Sequence, residues 1–194
     1  MITFVRHGQT EANAGGLLQG RADVPLTDLG REQASLVARA LSGAPARVVA
    51  SPLLRAADTA AAIADRFGLG VEVDERLVEL DYGDWDRRAF GEVTADEWKR
   101  WRSDSSFSPP GGESLDSVAA RVATFCEEIL GDDGDVVAVS HVSPIKAAVA
   151  WALGAGTEVT WHLFLDLASV TRVVRRPDGR ACLVSFNETA HLRG

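Results

Sequence analysis

Cysteine is scarce in this chain. Cys126 and Cys182 stand alone, with no Cys-x-x-Cys pair and no Cys/His spacing. That argues against a disulfide framework and against a zinc site, and it makes a reducing cytoplasm the expected location. Lysine is scarcer than arginine: Lys99 and Lys146 are the only lysines among 20 basic side chains. Positive charge is outweighed by 28 acidic residues, for a net charge of −8. That balance disfavours nucleic acid or an anionic membrane as a partner of the whole molecule. No apolar run reaches the roughly 18 residues of a membrane span. The first residues lack a basic stretch followed by an apolar one, so a secretory signal is not expected. Internal repeats and low-complexity tracts are missing too. What remains is an ordinary globular composition, 46% hydrophobic and 25% charged. It suffices to bury a core within one domain over 1–194.

Hydrophobic periodicity alternates between strand and helix. Ile2 to Arg6 reads as a short strand. Thr27 is placed to cap a helix running to about Leu41, with Leu29, Ala34, Val37, Ala38 and Leu41 on its apolar face. Arg47 to Ala50 reads as a strand, and Ser51-Pro52 as the start of a helix that Gly68 ends. Val71 to Val73 is a third strand. An irregular cap insertion follows at about 80–112, with Trp85, Trp98 and Trp101 and a turn at Pro109-Pro110-Gly111-Gly112. Ser114 caps a helix with Leu115, Val118, Val122, Phe125 and Ile129 on its apolar face. Asp135 to Ser140 suits a strand buried on both faces, and Ser143-Pro144 opens a helix to Leu153. The tail from Val159 to Phe186 reads as strands with a turn at Pro177-Asp178-Gly179-Arg180. An exposed edge strand there would allow a homodimer. The expected fold is an α/β three-layer sandwich, with a mostly parallel central sheet flanked by helices on both faces.

In such sheets, sites form at the carboxyl ends of the strands. The residues there are Arg6-His7-Gly8, Ser51 to Arg55, and Ser140-His141. Two arginines and two imidazoles thus converge on one rim if the strands are neighbours. Guanidinium forks fit phosphoryl oxygens and neutralise a dianion without a metal, which leaves a histidine free to act as nucleophile or acid. Gly8 would let backbone approach the bound group closely. Taken singly, each histidine is more often a satisfied core or rim residue. His162 and His191 are read as structural. Asp81, Asp84 and Asp86 raise the question of a metal, but the two arginines already provide the charge neutralisation. No metal and no cofactor is therefore expected.

Several stretches together carry a family resemblance. Val5-Arg6-His7-Gly8-Gln9-Thr10-Glu11-Ala12-Asn13 closely resembles the signature of the histidine phosphatase superfamily, in its phosphoglycerate-mutase-like branch. The resemblance continues through Gln19-Gly20-Arg21, Pro25 to Ala34, Ser51 to Ala60, Leu77 to Trp85, Gly111 to Ser114 and Val139-Ser140-His141. It implies that His7 is the nucleophile of a phosphohistidine route. Arg6, Arg55 and His141 would hold the phosphoryl oxygens, and Asn13, Gln19 and Val142 would line the same pocket. Glu79 stands where this branch keeps its proton donor. It would protonate the leaving alkoxide and then act as base on water.

After Trp85 many members continue Glu-Gly, whereas this chain has Asp86-Arg87-Arg88. Val142-Ser143-Pro144 after His141 is similar to broad-specificity acid phosphatase and α-ribazole-phosphate phosphatase members. Phosphoglycerate mutases are longer and must exclude water from their intermediate. The expected activity is therefore metal-independent hydrolysis of a small-molecule phosphate ester. Mutase-type phosphoryl transfer and a non-catalytic phospho-ligand binding module are the alternatives. Trp85, Trp98 and Trp101 are read either as a substrate cap or as packing. Arg87, Arg88, Arg100 and Arg102 are read either as a second anion contact or as a solvated face.

Overall fold

The computed structural model describes residues 1–193. In chain order its elements are β1 (Ile2–Arg6), a single turn α1 (Glu11–Ala14), α2 (Asp28–Ala40), β2 (Arg47–Ala50), α3 (Leu54–Phe67), β3 (Val71–Val73), α4 (Ala95–Ser103), α5 (Leu115–Gly131), β4 (Val136–Ser140), α6 (Val142–Leu153), β5 (Val170–Arg175) and β6 (Ala181–Glu188). The strands form one sheet in the order β3-β2-β4-β1-β5-β6. The first four are parallel, and β5 and β6 join antiparallel.

Side-chain alternation explains the layers. On β1, Ile2 and Phe4 face one way and Val5 the other; on β4, Val136 and Ala138 oppose Val137 and Val139. One face is covered by α2 and α3, through Val37, Ala38, Ala56, Ala60 and Ile63. The other is covered by α5 and α6, through Val118, Val122, Phe125, Ile145 and Ala148. This is the expected α/β sandwich with a mostly parallel sheet. Both central strands are buried along their length, which is why they read as nearly continuous apolar runs.

Helix ends show where local signals suffice and where they do not. Thr27 caps α2 as expected, its Oγ1 accepting the Gly30 N–H at 3.0 Å. Leu29, however, is 46% exposed, and Gly30 takes the buried position beside it. Ser51 does not cap α3. The helix starts at Leu54, whose N–H donates to Asp23 Oδ1 at 2.7 Å, so a remote carboxylate satisfies that orphan donor. α6 starts at Val142 with His141 as its N-cap, ahead of the Ser143-Pro144 expected to open it. Pro144 is tolerated because it lies in the first turn.

The 80–112 segment is more ordered than its composition suggested. It contains α4, opened by a reciprocal box. Thr94 Oγ1 accepts the Glu97 N–H at 3.3 Å, and Glu97 Oε2 accepts the Thr94 N–H at 2.8 Å. The turn at Pro109–Gly112 forms as read, with the Gly112 N–H donating to Pro109 C=O at 2.8 Å and Gly111 at φ 71°. The tail corrects another expectation. A 3₁₀ turn occupies Thr157–His162, and strand begins only at Val170. Thr160 Oγ1 bonds back to Thr157 C=O at 2.7 Å, and Trp161 packs edge-on against Trp101 at 5.0 Å. Both contacts favour a compact turn over an extended strand.

Candidate active site

β1, β2 and β4 end at one rim of the sheet, and each is followed by residues singled out from the sequence. His7 N–H donates to Ser140 C=O at 3.0 Å, and Ser51 N–H to Val139 C=O at 3.0 Å, which ties the three strand exits together.

His7 is buried. Its Nδ1 lies 2.7 Å from Gly8 C=O. A carbonyl oxygen only accepts, so the proton resides on Nδ1 and Nε2 carries the free lone pair. Burial, then the Arg6 and Arg55 guanidiniums, hold the imidazole well below 6.5, so the ring is neutral at pH 7. Gly8 is needed for packing in its own right. A Cβ there would stand 2.3 Å from Gly30 C=O, so the glycine permits a close approach to α2.

Arg6 donates from Nη1 to Leu165 C=O at 2.6 Å, while its buried Nε has no partner among the described residues. Burial brings this guanidinium down to about 10 against the opposing pull of Glu79, Tyr82 and Asp166, so it stays charged at neutral pH. Arg55 is fully buried on α3. It donates to Ala22 C=O at 2.9 Å, Gly20 C=O at 2.7 Å and His141 Nδ1 at 3.2 Å. Because Arg55 donates, His141 Nδ1 must accept, and the His141 proton sits on Nε2, 2.8 Å from Ser51 Oγ. The two imidazoles lie 5.1 Å apart between ring centres. Burial and the neighbouring cations hold His141 well below 6.5 as well.

Glu79 lies across from them, 4% exposed. Its Oε1 accepts the N–H groups of Leu80 at 2.8 Å and Ser143 at 3.1 Å. Its Oε2 accepts the N–H of Val142 at 3.1 Å. The N-terminus of α6 therefore aims the carboxyl and leaves a second acceptor position on Oε2 open. Val142 N–H points to Glu79, and the Val142 side chain lines the cavity.

A cavity of about 530 Å³ opens at this rim. Arg6, His7, Asn13, Gln19, Glu79 and Val142 lie on its wall, and Arg55 and His141 are not among the lining residues. Gln19 Oε1 and Asn13 Oδ1 both face the hydroxyl of Thr10, at 2.7 and 3.0 Å. That leaves Gln19 Nε2 as a buried donor with no partner among the described residues. Thr10 was not singled out from the sequence, although the threonine three residues before Asn13 is a capping-box signal.

Much of the rest of the wall is aromatic or aliphatic, with two cations, Arg102 and Lys146. Trp98 and Trp101 both line it, while Trp85 is buried core, so the tryptophans serve cavity wall and packing at once. Trp161, Phe164 and Lys146 complete it and carried no sequence signal, because α6 and the tail reach the cavity only in the folded chain. Among the four arginines read as a possible anion contact, Arg102 lines the cavity. Arg100 lies over the Phe107 ring at 4.6 Å. The aspartates beside Glu79 hold backbone. Asp86 accepts the N–H groups of Gly20 at 2.8 Å and Ala22 at 2.9 Å, and Asp81 accepts that of Gly83 at 2.9 Å. His191 Nε2 lies 2.9 Å from Ala168 C=O, a structural contact.

Comparison with known proteins fits this geometry. The family model of the Histidine phosphatase superfamily (branch 1) matches residues 2–189. The "Bifunctional protein Rv2228c" of Mycobacterium tuberculosis is 40% identical over 198 residues, covering 98% of this chain and 54% of the relative. The chain thus spans about half the length of that protein. A glucosyl-3-phosphoglycerate phosphatase of Mycolicibacterium vanbaalenii is 42% identical over 166 residues, covering 79% of this chain and 74% of the relative. Among solved structures, a mutant phosphoserine phosphatase of Entamoeba histolytica in complex with phosphoserine superposes with a TM-score of 0.91 at 30% identity, covering 98% of each chain.

Proposed function

Since the chain belongs to the histidine phosphatase superfamily, branch 1, we propose that it is a metal-independent phosphomonoesterase that hydrolyses small-molecule phosphate esters through a phosphohistidine at His7. The observation that supports this most is the tautomer of His7. The Gly8 carbonyl holds the proton on Nδ1, so a neutral ring presents Nε2 to the cavity beside a buried guanidinium.

Each step then has an owner. Nε2 of His7 attacks phosphorus as the ester P–O bond breaks. The Nδ1–H···O=C bond steadies the positive charge that the phosphorylated ring acquires. Arg6 and Gln19 bring unpartnered donors to the equatorial oxygens, and Arg55 and His141 support them. The departing alkoxide takes a proton from Glu79 at the open position on Oε2. Water then attacks the phosphohistidine, Glu79 recovers a proton from it, the N–P bond breaks, and neutral His7 returns.

The test is para-nitrophenyl phosphate hydrolysis in excess EDTA with His7→Ala alongside. We expect turnover in EDTA and a loss of at least about a thousandfold in the variant. Rapid acid-free quenching should trap a phosphoryl adduct on the His7 peptide by mass spectrometry. Turnover that survives His7→Ala sinks the nucleophile assignment, and turnover lost to EDTA sinks metal independence.

A further inference from the structure

Arg6 is held from a direction that none of the sequence motifs covers. Its Nη1 donates to Leu165 C=O at 2.6 Å, in the segment between the 3₁₀ turn and β5. That carbonyl belongs to the same peptide unit as the Asp166 N–H, which donates to Asn187 Oδ1 at 2.7 Å. The peptide is trans. A trans peptide is planar, with its C=O and N–H pointing in opposite directions. One rigid plane therefore carries the Arg6 guanidinium on one edge and the Asn187 amide on the other. Donation by the N–H also polarises the carbonyl, so the two bonds strengthen each other.

Asn187 is both placed and oriented for this contact. β5 and β6 slip register between the pairs Val170–Glu188 and Arg172–Ser185, which puts one extra residue on β6. Such a bulge re-aims a side chain. Asn187 stands in it at φ 53°, a left-handed conformation that asparagine tolerates better than most residues. Its N–H donates to Thr171 Oγ1 at 3.2 Å, and its Nδ2 to Asp166 Oδ2 at 2.9 Å. The second bond fixes which end of the amide faces the peptide. The same segment is tied to the backbone of the site. Ala168 N–H donates to His7 C=O at 3.2 Å, and Arg6 N–H to Ser169 C=O at 3.1 Å. Ala168 is itself at φ 51°, a strained conformation for alanine, so the segment needs outside contacts to keep its shape.

We propose that Asn187 is a positioning residue for phosphoryl transfer. It orients the Leu165–Asp166 peptide, whose carbonyl sets the Arg6 guanidinium against the transferred group. Asn187 does not line the cavity. Its effect therefore falls on the phosphoryl group, which every ester shares, and not on the leaving alcohol. The inference rests on the phosphatase reading above, in which Arg6 grips that group.

The variants are Asn187→Gly, Asn187→Asp, and Asn187→Asp combined with Asp166→Asn, each checked for folding by thermal melting. Glycine keeps the left-handed backbone and deletes the amide. Aspartate keeps an acceptor for the N–H of residue 166 but sets one carboxylate against another. The combined swap puts a donor opposite it again. The readouts are kcat/KM for para-nitrophenyl phosphate and the inhibition constant of orthovanadate, which resembles the phosphoryl group in flight and has no leaving alcohol. We expect Asn187→Gly to lose about tenfold or more in both. The swap should recover most of what Asn187→Asp loses. In an Arg6→Ala background, Asn187→Gly should cost little more, because the guanidinium it positions is gone. A residue that only stabilised the fold would move the melting temperature and leave the vanadate constant alone. A folded Gly variant with wild-type kcat/KM and vanadate inhibition overturns the inference, and so does an equal cost with and without Arg6. Should the Gly variant not fold, the swap decides, and no recovery over Asn187→Asp overturns the inference. If wild-type turnover is His7-dependent while these variants match wild type, the inference alone fails. If the wild type does not hydrolyse para-nitrophenyl phosphate, the phosphatase reading fails and takes the inference with it.

Discussion

Thr10 has one hydroxyl hydrogen, and two amide oxygens compete for it. Gln19 Oε1 is at 2.7 Å and Asn13 Oδ1 at 3.0 Å, and Asn13 N–H donates back to the same oxygen at 3.3 Å. The hydroxyl serves Gln19 Oε1 at the shorter distance, while the Thr10 backbone N–H holds Asn13 Oδ1 at 3.1 Å, so both amides are fixed by their oxygens. Thr10→Val keeps the shape and removes that anchor. We expect kcat/KM to fall about tenfold, mainly through KM, and urea unfolding to record a loss of about 1–2 kcal/mol for the stranded Gln19 Oε1. A variant with wild-type KM contradicts this orienting role. His7 gives a second expectation. Burial and two guanidiniums hold the ring neutral well below pH 6.5, so kcat/KM should not begin its acid-side decline near 6.5. An acid limb centred at 6.5 would show an unperturbed nucleophile. At this scale His7, Arg6, Arg55, Glu79 and His141 were legible because strand exits and family motifs mark them. Thr10, Lys146 and Trp161 were not, because their roles arise from contacts that no local spacing announces.

Among the elements, α2 and the loop after β1 meet closely at two glycines. A Cβ on Gly30 would stand 2.1 Å from Gln9 C=O, and one on Gly8 2.3 Å from Gly30 C=O. The first turn of α2 thereby clamps the loop that carries His7, and Gly8 N–H adds a bond to Thr59 Oγ1 on α3 at 3.1 Å. Gly30→Ala gains helix propensity but must push that loop away. We expect a net destabilisation of about 1–3 kcal/mol by urea titration, with activity falling further than stability explains. An Ala variant as active and stable as wild type would show that the loop has slack. Most elements were legible from periodicity. The misjudged starts, at α3 and α6, are those where a distant carboxylate, Asp23 or Glu79, replaces the local cap. Such a substitute leaves no trace in neighbouring residues. The strand order was likewise out of reach, since β1 pairs with β4 across more than a hundred residues.

For the whole molecule, burying two neutral imidazoles couples folding to pH. Both His7 and His141 sit well below 6.5 in the folded chain, whereas in the unfolded chain each takes a proton near 6.5. Below that pH the unfolded state binds more protons, so stability is full above 6.5 and falls as the solution is acidified. The expected slope approaches about 1.4 kcal/mol per pH unit for each histidine. Urea titrations from pH 7 to 5 should show it, and His7→Gln should remove about half. A pH-independent midpoint would contradict the buried neutral pair.

The aromatic wall also makes the cavity visible to light. Trp85, Trp98, Trp101 and Trp161 form one contacting cluster, with Trp98 and Trp101 stacked at 5.5 Å, and Trp151 is the remaining tryptophan of the five. Four of the five indoles therefore sit at or just beneath the cavity wall. Titrating the His7→Ala protein, expected to be inactive, with an ester should report occupancy through a change in quantum yield, with no attached dye.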